Sequence, residues 1–180
     1  MVRTRVGYAG GTTADPTYSD LGDHSETIQI DYDPAQISYQ GLLDIFWDSH
    51  SPTARAWSKQ YASIIFYHDE EQRQLAEASL QLEADRLGKP LFTVIVPFSE
   101  FYLAEAYHQK YRLQQQPDLL GEFRAIYPDD EDFVNSTAVA RVNGYLGGNG
   151  TLEALQAEIG SLGLSPAAQE RLLGIFSAAR

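Results

Sequence analysis

Apolar and polar residues alternate over residues 2–8, VRTRVGY, and the run stops at Ala9-Gly10-Gly11, which predicts a short strand entering a glycine turn. Residues 11–23 are dense in turn formers (Thr12, Thr13, Asp15, Pro16, Ser19, Asp20, Gly22, Asp23) and read as a loop. A second strand is expected over 24–32, HSETIQIDY, with His24, Glu26, Ile28, Ile30 and Tyr32 on one face and Ser25, Thr27, Gln29 and Asp31 on the other. Asp33-Pro34 closes it. Ser38 then caps a helix to about Ser49, whose Leu42, Leu43, Ile45, Phe46 and Trp47 make a wide apolar face.

Residues 50–60, HSPTARAWSKQ, form a second loop and 61–67, YASIIFY, a third strand. Asp69 with Gln72 is a capping box for a long helix ending near Gly88. The apolar run 91–98, LFTVIVPF, reads as a central strand. In AEAYHQKY, Tyr107 and Tyr111 stand four apart and share one face of an expected short helix. Helical pieces near 117–124, 132–141, 151–161 and 165–179 follow, separated by YPDDED, NGYLGGNG and SLGLS. The order strand, strand, helix, strand, helix, strand matches the closing part of a βαββαβ sandwich whose first strand and crossover helix are missing, so the class is α+β. The expected division is a core over 1–112 and a helical extension over 113–180 packed on it.

The 180 residues suit one domain with an appended segment. Lys+Arg 13 against Asp+Glu 25, net charge -12, argues against nucleic acid or an anionic membrane as partner. No apolar run approaches a membrane span, and MVRTRVGYAGG has no signal-peptide core. The default expectation for location is the cytoplasm. The most restrictive number is Cys 0: it excludes disulfides, thiolate metal sites and any cysteine nucleophile within these residues. His24, His50, His68 and His108 form no metal-binding pair, and no phosphate-binding or nucleophile-elbow motif is present. No bound cofactor is expected.

Glu26 is the anomaly among the strand residues. It shares a face with Ile28, Ile30 and Tyr32, while Thr27, Gln29 and Asp31 make the wet face, so it is expected to face the core, where burial favours the protonated carboxyl, the state a general acid needs near neutral pH. The plainer reading puts it at the strand start, reaching solvent. Tyrosine is abundant (Tyr 11), and Tyr8, Tyr18, Tyr61, Tyr102, Tyr107 and Tyr111 stand near loops or element ends. Converging phenols would make a polar pocket with apolar walls; packing is the ordinary role of any single one. His50 ends a helix, where a structural role suffices. The run Asp129-Asp130-Glu131-Asp132 reads as a solvated helix start.

VRTRVGYAGGTTADPTYSD, HSETIQIDYDPAQISYQGLLDIFWDSHSPT, QYASIIFYHDEEQ and FYLAEAYHQKY together resemble the methionine sulfoxide reductase A family over about residues 2–112. The resemblance implies a ferredoxin-like sandwich with long coils. It implies reduction of the S epimer of methionine sulfoxide, free or in peptides, by a thiolate in a GCFW motif with an acid protonating the oxygen. Position by position, Glu26 falls on the acid, Tyr18 and Tyr61 on two tyrosines that bond the sulfoxide oxygen, and Tyr111 on a further pocket tyrosine. The reductant implied is an external thiol, thioredoxin-like.

Departures from the family pattern are equally plain. No GCFW is present. The loop that usually reads close to NRQGxDxGxQY is ARAWSKQY, with Ala56 where an aspartate supports the site, and the segment between Tyr18 and Glu26 is shortened to SDLGDHS. Without a thiol these residues should not turn over. The sequence leaves three readings open: an enzyme whose reading frame starts further upstream, a non-catalytic relative that binds methionine sulfoxide or protein, and an interaction module whose helical tail covers the old pocket.

Overall fold

The computed structural model describes residues 2–178, which gather into two compact units. One comprises Val6–Ile28 and Tyr32–Ala104; the other draws its described residues from Met1–Arg5, Gln29–Asp31 and Glu105–Arg180. The α+β class holds: strands and two helices come first, and a run of helices follows Glu105.

Strands β1 (Arg3–Ala9) and β2 (Ser25–Asp31) sit beside β5 (Phe101–Leu103) in a sheet of order β2-β1-β5. β1 and β5 are antiparallel, with Gly7 opposite Leu103 and Ala9 opposite Phe101. The pattern gave no sign of β5, because three residues are too few for alternation to register. A separate two-stranded sheet pairs β3 (Ile64–Tyr67) with β4 (Val94–Pro97) in parallel, Ile64 opposite Val94. Parallel strands need a crossover, and helix α2 (Glu70–Leu87) provides it.

Helix α1 (Tyr39–Asp48) begins where expected: the Ser38 hydroxyl accepts from the Gly41 amide at 3.1 Å. The box that opens α2 is also present. Asp69 accepts from Gln72 N at 2.8 Å while the Gln72 side chain accepts from His68 N at 3.0 Å, and Gly88, at φ 61, ends the helix. Leu43 and Trp47 of α1, Ala76 of α2 and Ile65 of β3 form the core of this unit. Trp47 donates its indole N–H to Ser79 at 3.2 Å. The apolar run 91–98 is strand only over Val94–Pro97. Val94 is about half exposed, so β4 is not the covered central strand that its composition implied.

The expected helix across Tyr107 and Tyr111 is broken. Lys110 stands at φ 53 between a 3-10 turn, Ala106–His108, and α3 (Tyr111–Gln114). That left-handed residue carries its own side chain inward. Lys110 is 4% exposed and donates to Thr4 O at 2.5 Å and Val134 O at 2.8 Å. Burial, with the nearby Arg5 charge, lowers its pKa to about 8.

Helices α4 (Pro117–Ile126), α5 (Asp130–Asn135), α6 (Thr137–Leu146), α7 (Leu152–Glu158) and α8 (Pro166–Ala178) complete the chain. The piece expected at 132–141 is two helices, because the Ser136 hydroxyl leaves α5 and caps α6 through Val139 N. Asp129 caps α5 through the Glu131 and Asp132 amides, so the acidic run is a helix start. Leu113, Leu119, Phe123, Phe133, Val139, Leu155, Leu172 and Phe176 build a core separate from that of the sheets. No helix among the described residues is long and apolar enough to cross a membrane.

Candidate active site

β1 ends at Ala9, and Gly10 turns at φ 78 with the Phe66 ring pressed so close that a Cβ would lie 2.8 Å from it. The loop beyond is held from below by two consecutive residues. Asp23 accepts from the Thr12 amide at 2.7 Å and the Thr13 amide at 3.1 Å, and these backbone bonds, with the threonine hydroxyls, hold its carboxyl well below the usual carboxylate range. His24 is 2% exposed; its Nδ1 accepts from Gly11 N at 3.2 Å. The proton therefore sits on Nε2, which donates to Thr13 O at 2.8 Å. A buried neutral imidazole thus fastens the glycine turn to the start of β2. Further along, Thr17 and Asp20 exchange backbone bonds at 3.1 Å, and the tight turn they close presents Tyr18.

The other half of the site is anchored to β2 as well. Ser25, 1% exposed, donates its hydroxyl to Lys59 O at 2.6 Å and fixes the 3-10 turn Lys59–Tyr61 against the strand. The next residue on each side then meets: Gln60 Nε2 donates to Glu26 Oε1 at 2.7 Å. Tyr61 closes the turn and shares a side-chain hydrogen bond with Tyr18. Loss of water around the phenol raises the Tyr61 pKa, and the Tyr18 and Glu26 charges and the bond to Tyr18 raise it further.

Three of the four residues singled out from the sequence, Glu26, Tyr18 and Tyr61, therefore come together in one unit. Tyr111 is the first residue of α3, is 58% exposed and belongs to the other unit. The environment of Glu26 differs from that read off the pattern. Glu26 is exposed and Ile28 is 57% exposed, whereas His24 and Ser25 are buried. Period-2 alternation separates two faces but does not tell which one is covered, and the burial argued for Glu26 is absent.

Trp57, which no motif or periodicity in the sequence marks, also stands at this turn. It is 82% exposed, and its ring centroid lies 5.0 Å from that of Tyr61 at an interplanar angle of 40°. The only signal available was a large apolar residue inside a polar loop. His50 has a structural part: Nδ1 bonds Phe46 O at 2.8 Å and Nε2 meets Ser63 Oγ at 2.9 Å. Among the described residues no group of three or more His, Asp or Glu stands close enough to hold a metal ion.

Two phenols, a carboxylate and an amide around one solvent-facing spot can surround an oxygen acceptor and deliver a proton to it. The family model Peptide methionine sulfoxide reductase matches residues 1–149, a span that contains all of this geometry. The chain belongs to that family. A second family model, Selenoprotein methionine sulfoxide reductase A, helical domain, matches residues 128–173 and so accounts for most of the helices after α4. A Drosophila melanogaster peptide methionine sulfoxide reductase is 45% identical over 168 residues, 92% of this chain and 67% of that protein. The MsrA protein of Methanosarcina acetivorans is 46% identical over 62% of this chain and 65% of its own length, and an A5 protein of Oryza sativa is 38% identical over 81% and 59%. The chain thus spans about two thirds or less of the length of these relatives. Methionine sulfoxide reductase A of Corynebacterium diphtheriae superposes with a TM-score of 0.59 at 31% identity, covering 64% of each chain. Mxr1 from Saccharomyces cerevisiae in reduced form gives a TM-score of 0.59 at 29% identity, covering 63% of this chain and 71% of that one.

Proposed function

We propose that these residues carry the acid and oxygen-binding part of a peptide-methionine (S)-S-oxide reductase site. The observation that carries the reading is the meeting of Glu26, Tyr18 and Tyr61 at the start of β2, in a chain of the peptide methionine sulfoxide reductase family. Tyr18 and Tyr61 donate their hydroxyls to the sulfoxide oxygen, and Glu26, oriented by Gln60, gives it a proton. A thiolate attacks the sulfoxide sulfur as the oxygen is protonated. The sulfur–oxygen bond of the substrate breaks, methionine leaves, and the oxygen stays on the attacking sulfur as a sulfenic acid. Two external thiols, from a thioredoxin-like reductant, then reduce that sulfur to a thiol, are themselves oxidised to a disulfide, and release the oxygen as water. For Tyr111 the family resemblance is the whole support.

The 180 residues contain no cysteine, so the attacking sulfur comes from outside them. This reading puts the reaction in the cytoplasm, where dithiols are kept reduced. A reductase assay with an S-methionine sulfoxide peptide and excess dithiol tests it. The 180-residue chain is expected to give no turnover, and a version extended at its N-terminus by a GCFW-bearing segment is expected to turn over. In the extended version Glu26→Gln should lower kcat/KM by about 10²–10⁴-fold, the usual contribution of a general acid. Full activity in that variant would overturn the assignment of the acid.

A further inference from the structure

We infer that Trp57 is a substrate-contacting residue which selects peptides bearing an apolar side chain next to the oxidised methionine. The inference rests on the reading of Glu26, Tyr18 and Tyr61 given above. Among the described large hydrophobic residues Trp57 is the most exposed, at 82%, so its indole is held in water and is not part of a core. An indole carries roughly 150–250 Å² of surface, and leaving most of it wet forgoes a large stabilisation that a ligand can recover. The ring is not placed at random. It stands 5.0 Å from the Tyr61 ring, and the Tyr61 amide, bonded to Ser58 O at 3.3 Å, belongs to the turn that Ser25 anchors.

Tyr61 therefore has two differently equipped sides. Its hydroxyl meets Tyr18 beside Glu26, which makes a polar end suited to a sulfoxide oxygen. Its ring meets Trp57, which makes an apolar end. Consecutive peptide residues stand only about 3.8 Å apart at Cα, so a residue next to a methionine sulfoxide held at the Tyr61 hydroxyl is within reach of the ring that Trp57 flanks. A leucine or phenylalanine there would cover the indole face; glycine would leave it wet, and a carboxylate would be desolvated against it.

The chain supplies its own reporter. It has two tryptophans, and Trp47 is only 6% exposed, so acrylamide quenching of fluorescence reads Trp57 selectively. Blocked tripeptides with a central S-methionine sulfoxide flanked by leucine, glycine or glutamate, and the leucine peptide with unoxidised methionine, are titrated into wild type, Trp57→Ala and Trp57→Phe. The leucine-flanked sulfoxide should protect Trp57 from quencher and bind about tenfold more tightly than the glycine-flanked one, the order expected for burying one aliphatic side chain. Trp57→Ala should abolish that preference while keeping the glycine-flanked affinity, and Trp57→Phe should restore part of it. An unchanged preference in Trp57→Ala, or no protection of Trp57 at saturation, overturns the inference. Equal binding of oxidised and unoxidised leucine peptides, with the preference still lost in Trp57→Ala, overturns the sulfoxide reading and leaves Trp57 as a peptide contact. Failure of every sulfoxide peptide to bind wild type overturns both.

Discussion

Lys110 shows how much one residue can reveal when its environment is wrong for its charge. It is buried against two backbone carbonyls with no carboxylate partner among the described residues, and its pKa falls to about 8. The charged form is therefore penalised in the folded state. Between about 8 and the ordinary lysine value near 10.4 the unfolded chain holds more protons than the folded one, so stability from this group rises with pH across that window. Denaturant unfolding of wild type and Lys110→Met from pH 7 to 10.5 should show that rise, on the order of 3 kcal/mol, only in wild type. Equal pH slopes in both proteins would contradict it. Asp23 has the opposite sign: its depressed pKa means stability that is present above the usual carboxylate range and drains away as pH falls. Asp23→Ala should flatten the acid limb of the stability profile. Neither feature was legible in the sequence, because the left-handed turn that sends Lys110 inward and the paired amides that hold Asp23 are properties of a folded backbone.

Elements were legible where local chemistry decides them. Ser38, Asp69 with Gln72, Gly88 and Asp129 all do the capping that their positions announce. The misreadings share a cause: a non-local partner. β5 exists because β1 lies beside it, and β4 is short and half wet because it pairs with β3 alone. Which face of β2 is covered depends on packing that alternation does not record, hence the exposed Glu26 and Ile28. Ser136 divides a stretch that looks continuously helical, being the end of α5 and the cap of α6. Ser136→Ala should cost about 1 kcal/mol by denaturant unfolding, the usual worth of an N-cap. Phe123, fully buried in the helical core, should cost about 3–5 kcal/mol as Phe123→Ala.

At the scale of the whole molecule, the proposed site residues Glu26, Tyr18 and Tyr61 all belong to the unit built on the strands, while the helices after Glu105 have a core of their own. The family was readable from four stretches spread over residues 2–112, since a constellation of that length is far more restrictive than any one motif. What the stretches did not give was Trp57, which stands in the ARAWSKQY loop where this chain departs from the pattern it resembles. Calorimetric titration of the 180-residue chain with the two epimers of a methionine sulfoxide peptide is the direct test of the proposed oxygen-binding site. The S epimer should bind and the R epimer should not, and Tyr18→Phe and Tyr61→Phe should each weaken the S epimer by about 2–10-fold, the worth of one hydrogen bond. Equal heats from the two epimers, or an affinity that ignores both phenols, would contradict the account.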